Sequence, residues 1–312
     1  MEKEIKKRKL IIDTDPGVDD ATALMIALNS EKFDIKLITT TAGNVGIKKT
    51  TRNALFLVDY FNKNIPVAVG AKKPLYRKAK NAIVVHGKEG LGGYIPKHIK
   101  TKAIKEKAVD QMYKIIKENP HEITLLVLGP HTNIANLFIK YPESKNLIKD
   151  IVFEGGSPYG KAGVKPHISF NISYDPEAAD IVMKTNIPKT IIPSELGRYV
   201  VYFTNKEKEK IANLNESGKI LKIMLDGYIN RYGLNITQAN DLCAVMYMLY
   251  PNLFETYRCE IFVDTQELPG KMIIKENNNG IITFVENANK EKFIENFIKN
   301  FKKLKWFIYK KS

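Results

Sequence analysis

The sequence is short of the residues that mark several protein classes. It holds 2 cysteines in 312 residues, Cys243 and Cys259. Two distant thiols form neither a disulfide framework nor a zinc-ligand spacing, which fits a reduced compartment and argues against a secreted, stapled domain. No apolar run nears the roughly 20 residues that a membrane-spanning helix needs. The longest, 242–250, reads as a buried helix. The segment 2–9 is charged, and the apolar run behind it is too short for a signal-peptide core. Internal repeats and low-complexity linkers are also missing, so a single domain over 1–312 in the cytoplasm is expected. Acidic residues are the scarcer charge: 34 Asp and Glu against 49 Lys and Arg give a net +15. Such a balance can signal a nucleic-acid or membrane partner. Here the lysines are spread along the whole chain and do not alternate with aromatics. A solvated surface is expected, with no nucleic-acid and no membrane partner, while attraction of an anionic substrate stays open.

Against this background one stretch stands out. Asp13-Thr14-Asp15-Pro16-Gly17-Val18-Asp19-Asp20 packs four carboxylates into eight residues, directly after the apolar run Leu10-Ile11-Ile12. The run reads as a buried strand ended by a Pro-Gly turn. Ala21, Leu24, Met25, Ala27 and Leu28 then recur near a 3.6 period, so a helix follows. Capping of that helix accounts for one or two acids, Asp19 or Asp20. It leaves Asp13 and Asp15 unexplained, because like charges this close repel unless a cation neutralises them. Carboxylate oxygens suit a hard divalent cation. An Asp-x-Asp after a first strand also fits a metal-dependent phosphatase.

The rest of the first half alternates strand and helix patterns. Strands are expected over 35–41, 66–69, 122–128 and 150–153, and helices over 47–61, 103–118 and 132–140. This order implies an open, mostly parallel, doubly wound α/β sheet with helices on both faces. Strand ends at Asp13, Ala42, Gly129 and Glu154 lead into polar, Gly-containing turns and should converge on one crevice. Residues 157–170 form a Gly/Pro-bearing loop long enough for a lid or binding loop. A helix over 175–184 is expected, with Asp175 as its cap, then a strand over 189–193 and helical patterns over 206–232. A helix opens at Asp241. Strands over 257–264 and 270–285 read as a small antiparallel addition, with Asn277-Asn278-Asn279-Gly280 as a hairpin turn. A last helix covers 290–302.

Taken together, these motifs resemble the nucleoside hydrolases, the inosine–uridine-preferring N-ribohydrolase family. Asp13 to Ala21 looks like the family's N-terminal signature, and Thr40-Thr41-Ala42-Gly43-Asn44 like its second strand end. His86-Gly87-Lys88-Glu89-Gly90-Leu91-Gly92-Gly93 resembles its active-site loop. Leu128-Gly129-Pro130-His131-Thr132-Asn133 resembles its Gly-Pro-x-Thr-Asn turn. Phe170-Asn171 with Asp175-Pro176-Glu177-Ala178-Ala179, and Asp241-x-Cys243-Ala244, match later motifs.

The resemblance implies hydrolysis of ribonucleosides to ribose and free base, through an oxocarbenium-like sugar, in purine or pyrimidine salvage. It implies a Ca²⁺ ion held by Asp15, Asp20, Asp241 and the main-chain carbonyl of Thr132. Asp15 is then the base for a water made more acidic by the ion. The ribose hydroxyls fall to the ion and to Asp19, Asn44 and Asn171, and Asp13 orients the ligands. His86 is expected over the base or sugar. A homo-dimer or homo-tetramer is expected. Read without the family, Asn44 is a turn residue, Thr132 and Asp241 are helix caps, and Asn171 is a structural amide.

The chain also departs from the family pattern. Many members carry a histidine before the late aspartate, and here that place holds Asn240, which cannot act as a general acid. His86 or Tyr232 are the candidate substitutes. Two loop positions where relatives hold Asn and Glu are Gly163 and Ser169, and the usual Met before Gly-Gly is Glu154. These changes fall where relatives grip the 3′ and 5′ end of the ribose. Either Glu154, Ser169 or His167 takes over the hydroxyl contacts, or the substrate is a nucleoside or nucleotide altered at its 5′ position, with Lys161, Lys165 and His167 facing an anionic group. A non-catalytic calcium and ribose-binding protein is the alternative outside enzymology.

Overall fold

The structure, a computed structural model, describes residues 6–97, 99–228 and 236–304. The opening strand β1 (Arg8–Thr14) is followed by helix α1 (Val18–Asn29). Then come β2 (Phe33–Thr40), α2 (Ile47–Tyr60), β3 (Val67–Val69), the short α3 (Ile83–His86) and α4 (Ala108–Glu118). The middle of the chain supplies β4 (Ile123–Val127), α5 (Thr132–Lys140), β5 (Asp150–Glu154), α6 (Phe170–Tyr174), α7 (Pro176–Met183) and β6 (Lys189–Ile192). The last part gives β7 (Tyr202–Thr204), α8 (Asn205–Ala212), α9 (Glu216–Asp226), β8 (Ile236–Gln238) and α10 (Asn240–Leu249). Strands β9 (Phe254–Val263), β10 (Met272–Glu276) and β11 (Ile282–Ala288) precede α11 (Lys290–Lys302).

Among the described residues the main sheet has nine strands in the order β10-β9-β11-β6-β5-β4-β1-β2-β3. From β1 the chain winds outward to β2 and β3, then returns to β4 on the other side of β1 and winds outward again. The β1–β2, β1–β4, β4–β5 and β5–β6 pairs are all parallel. The winding therefore reverses between β1 and β4, and their C-terminal ends open a crevice.

Strand alternation explains why the sheet is buried on both faces. Leu10 and Ile12 of β1 pack with α1, α2, α10 and α11, while Ile11 joins α4, α5 and α7 on the other side. All three are fully buried. At roughly 25 cal/mol per Å² of apolar surface, each such side chain stabilises the fold by about 1.5–3 kcal/mol.

Two expectations need adjusting. The Asn277 to Gly280 turn is tight, with Gly280 N–H donating to Asn277 O, but it is not a hairpin. It joins β10 to β11, which pair with opposite sides of β9. The antiparallel addition near the C-terminus is present as expected, and it extends the edge of the main sheet, since β11 pairs with β6 in parallel. The helical pattern over 206–232 is broken at Asn215, whose side chain caps α9 by accepting from Gly218 N–H. Tyr232 lies outside the described residues. The β7–β8 ribbon was not foreseen; strands of three residues carry too little periodicity to be read.

Candidate active site

The crevice is a cleft of about 920 Å³ lined by Asp19, Asn44, His86, Glu154, Asn171, Asn240 and Asp241, among others. Its acidic floor comes from two strand-to-helix turns. Asp15 follows β1, Asp19 and Asp20 sit in the first turn of α1, and Asp241 sits in the first turn of α10. Asp20 is held by four donors. Thr14 Oγ1 (2.5 Å) and Asp15 N–H (3.2 Å) reach Oδ1, while Gly17 N–H (3.0 Å) and Asn44 Nδ2 (2.9 Å) reach Oδ2. Asp20 thus caps α1 from inside and faces the floor as well; the capping and cation readings both apply to it.

Carboxylate oxygens of Asp19, Asp20 and Asp241 lie within 4.8 Å of one another. Two oxygens bound to one Ca²⁺ at 2.3–2.6 Å are at most about 5 Å apart, so this spacing suits a shared ion. Asp15 Oδ1 and Asp19 Oδ1 are buried and accept nothing from any described residue. Burial pushes the Asp15 and Asp241 carboxyls well above the usual range, and repulsion from Asp20 adds to it. Orphaned, mutually repelling oxygens are what a bound cation neutralises, and the donor set is oxygen only. The residues fit a divalent ion. The compact trio contains Asp19, where the sequence pointed to Asp15. Asp15 Oδ2 is engaged by Asn44 N–H at 2.6 Å. Thr132 opens α5, and its hydroxyl donates to Asp175 Oδ2 at 2.7 Å. Asp175 in turn caps α7 at Ala178 N–H, as expected.

Asp13 lies beneath the floor. Its Oδ1 accepts from Thr39 Oγ1 (2.5 Å) and Asn133 Nδ2 (2.7 Å), and burial raises its carboxyl to about 7. It braces β1 against β2 and α5.

His86 ends α3, with Val18 N–H donating to its Nδ1 at 3.2 Å. A ring nitrogen that accepts is unprotonated, so the neutral ring carries its proton on Nε2. Tyr228 packs edge-on against this ring, with centroids 5.4 Å apart. Asn240 begins α10, and its Nδ2 donates to Gln238 Oε1 at 3.2 Å. At the other side of the cleft Glu154 ends β5. Its Oε1 accepts from Ser194 Oγ (2.8 Å) and its Oε2 from Asn171 Nδ2 (2.9 Å). Burial raises Glu154 to about 8.

The loop 157–169 reaches the cleft through Ala162, Gly163, Val164, Lys165 and Ile168. Lys165 lines the cleft, whereas His167 Nδ1 is bonded to Pro158 O at 2.8 Å within the loop itself. Ser169 Oγ accepts from Gly156 N–H at 2.7 Å. Glu195 pins the loop by accepting from Ser157 Oγ at 2.7 Å. Sequence reasoning missed Tyr228, Gln238 and Ser194. Ser194 had a signal: it follows β6, a fifth strand ending at the same edge. Tyr228 and Gln238 had none.

Fold and cleft define an α/β enzyme whose acidic machinery sits at the C-terminal ends of parallel strands. The family described as inosine-uridine preferring nucleoside hydrolase matches residues 10–295. The chain belongs to that family and is an N-ribohydrolase. It is 36% identical over 260 residues to the non-specific ribonucleoside hydrolase RihC of Salmonella newport (strain SL254), covering 82% of this chain and 83% of that protein. Among solved structures it resembles a purine-preferring ribonucleoside hydrolase from Gardnerella vaginalis, with TM-score 0.88, 29% identity, and 95% and 98% of the two chains covered. A plant nucleoside hydrolase is similar at TM-score 0.88 and 28% identity, covering 95% of this chain and 99% of the other.

Proposed function

We propose that this enzyme is a calcium-dependent hydrolase of ordinary ribonucleosides, yielding ribose and free base. The observation that carries the reading is the set of buried carboxylate oxygens at the strand switch point that accept from no described residue, with amide and imidazole groups around them. Asp15, Asp20, Asp241 and the Thr132 carbonyl would hold the ion, with Asp19 beside it. When bound, a divalent cation supplies Lewis acidity to a water and a grip on vicinal hydroxyls.

The chain's own groups divide the remaining work. Asp15 takes the proton of the attacking water; its carboxylate is aimed by the Asn44 N–H. Asn44, Asp19 and Asn171 orient the sugar. Such contacts accelerate the reaction to the extent that they tighten as positive charge develops on the ribose. Asn240, tied to Gln238, offers the base a hydrogen bond but no transferable proton. His86 can hydrogen-bond the departing base through Nε2 as the neutral ring, and can give it a proton only as the imidazolium, which then returns to the neutral ring.

The test is base release from purine and pyrimidine ribonucleosides, with calcium and with chelator, using Asp15→Asn as control. Calcium-dependent release that vanishes in the control is expected. Binding of calcium and ribose with no release from any nucleoside would leave a binding protein instead. The same reading treats 1–312 as one catalytic unit, working in the cytoplasm as a homo-dimer or homo-tetramer, which light scattering checks.

A further inference from the structure

The acidic turn after β1 and the loop that carries His86 are far apart in the chain, yet they pack backbone-close. Val18 N–H donates to His86 Nδ1 at 3.2 Å, and a Cβ on Gly17 would stand 2.6 Å from the same nitrogen. The turn supplies the Asp19 and Asp20 carboxylates, and the loop supplies the imidazole. A third element, α2, holds the two segments together from behind.

Asn53 of α2 makes the connection. It is fully buried, and its Nδ2 donates to Pro16 O in the turn and to Glu89 O in the loop, at 3.0 Å each. An amide nitrogen has two N–H bonds, so one serves each segment. Asn53 Oδ1 accepts from Arg52 Nε (3.2 Å) and Nη2 (2.8 Å), which fixes the end of the amide that faces the carbonyls. Arg52 also reaches the loop directly, from Nη1 to Glu89 Oε2 at 2.6 Å and from Nη2 to Glu89 O at 2.9 Å. The loop comes this close because residue 90 is glycine, at φ +86°. A Cβ there would lie 2.9 Å from Asn53 Nδ2 and 3.2 Å from Pro16 O. The peptide group that Asn53 holds by its oxygen is the one whose N–H, on Gly17, donates to Asp20 Oδ2 at 3.0 Å. One amide thus acts on the cation side of the cleft through a single peptide, and on His86 through the loop that carries it.

We infer that Asn53 is a positioning residue that sets the acidic turn and the His86 loop against each other, so that one side chain fixes both the cation-binding and the base-facing sides of the cleft. It lies behind the cleft and acts only through the two backbones. A peptide whose oxygen accepts a hydrogen bond is a stronger donor at its N–H, so Asn53 also tightens the hold of Gly17 on Asp20. Groups that orient a metal ligand in this way are worth about 10–100-fold in metal affinity or activity. The inference rests on the calcium and nucleoside readings of the cleft.

The experiment compares the native protein with Asn53→Leu and Arg52→Met. N53L cuts both links, whereas R52M loosens the loop and leaves the Pro16 link in place. Calorimetric titration with calcium, without substrate, should give a Kd about tenfold higher for N53L and within about twofold of native for R52M. In saturating calcium, kcat/KM is then measured for inosine and for a nitrophenyl riboside, which needs no acid help to leave. Both variants should lose about tenfold more with inosine, since the His86 loop is displaced. An asparagine that served packing alone would lower the Tm and leave the calcium Kd and the substrate ratio of the folded protein unchanged. Amide hydrogen exchange at Gly90 and Gly92, whose N–H groups donate to Gly87 O (3.1 Å) and His86 O (2.9 Å), reads the loop without turnover and should quicken in both variants. A native calcium Kd in N53L, or equal losses with the two substrates, overturns the inference. A native protein that binds no calcium would sink the cation reading and this inference with it. Base release from no nucleoside, with the calcium and exchange patterns intact, would count against the nucleoside reading alone. Should N53L not fold, Asn53→Ala, which puts the best helix former into α2, takes its place with the same expectations.

Discussion

The backbone N–H of Asn44 donates to Asp15 Oδ2 at 2.6 Å, across the ends of β1 and β2. This contact needs the residue before Asn44 to be small. A Cβ on Gly43 would stand 2.0 Å from Asp15 Oδ2 and 3.1 Å from Pro130 Cδ. Gly43→Ala should therefore displace the Asp15 carboxylate while leaving the fold in place. Misplacing a catalytic group by about 1 Å can lower the rate roughly 100-fold, so kcat should fall on that order. Gly46→Ala, with nothing within 4 Å of its Cβ, should leave kcat unchanged. Steady-state kinetics of the two variants in calcium decide it; equal losses would refute the steric argument.

Much of this arrangement was legible in the chain, for a physical reason. Asp15, Asn44, Thr132, Glu154 and Asp241 each follow a strand or open a helix, and strand ends with Gly-bearing turns announce themselves locally. The two-sided burial of Leu10 to Ile12 was legible too, because a run without polar residues has no solvent face to offer. Illegible were the relations that only packing creates. Asn133 meets Asp13 across 120 positions, and Tyr228 meets His86 through the end of α9. The asparagine turn misled because its residues report a turn and say nothing of which strands it joins.

Metal removal should be felt in stability as well as in rate. Asp15, Asp20 and Asp241 all have carboxyls raised first by burial and then by a neighbouring carboxylate, Asp20 for Asp15 and Asp241, and Asp19 for Asp20. A cation that binds the folded form alone stabilises it by about 2.7 kcal/mol at 100 times its Kd. Calcium should raise the Tm of the chelator-treated protein and restore base release. Asp241→Asn should reduce both effects, shifting the calcium titration to higher concentration. A Tm indifferent to calcium would contradict the site.

Glu154 sets a pH dependence in the cation-free protein. Its folded value of about 8 lies above the ordinary 4.5. Between those values the folded state holds the proton that the unfolded state has released, so stability falls as pH rises. Melting in chelator should show the native protein losing stability from pH 5 to pH 8 more steeply than Glu154→Gln, which has no proton to release. Parallel slopes for the two proteins would rule this out.

His86 should matter in proportion to the reluctance of the base to leave. General acid assistance is worth about 10²–10⁴ in rate. His86→Phe should lose a factor in that range with inosine or uridine. It should lose far less with a nitrophenyl riboside, whose leaving group departs without a proton. If the loss is the same for both substrates, His86 serves binding only.

His131 offers a gain in stability. It is fully buried, both ring nitrogens lack a partner among the described residues, and its ring stands edge-on to Phe153 at 4.7 Å. The residue precedes α5 without a side-chain capping bond, so an apolar replacement forfeits no cap. Burial pushes its imidazole from 6.5 down to about 3, so it stays neutral at physiological pH with two buried polar atoms unsatisfied. Each such group destabilises by about 1–3 kcal/mol. His131→Leu should therefore raise stability at pH 8 by an amount of that order. Below pH 6.5 the unfolded chain takes up a proton that the folded one refuses, so the native protein loses further stability as pH falls. The advantage of the leucine variant should widen by about 2 kcal/mol at pH 5, following 1.36 kcal/mol per pH unit. Urea denaturation of both proteins at the two pH values measures it. A gain that is the same at pH 5 and pH 8 would mean that the ring is not held neutral, and no gain at either would mean that its nitrogens are satisfied.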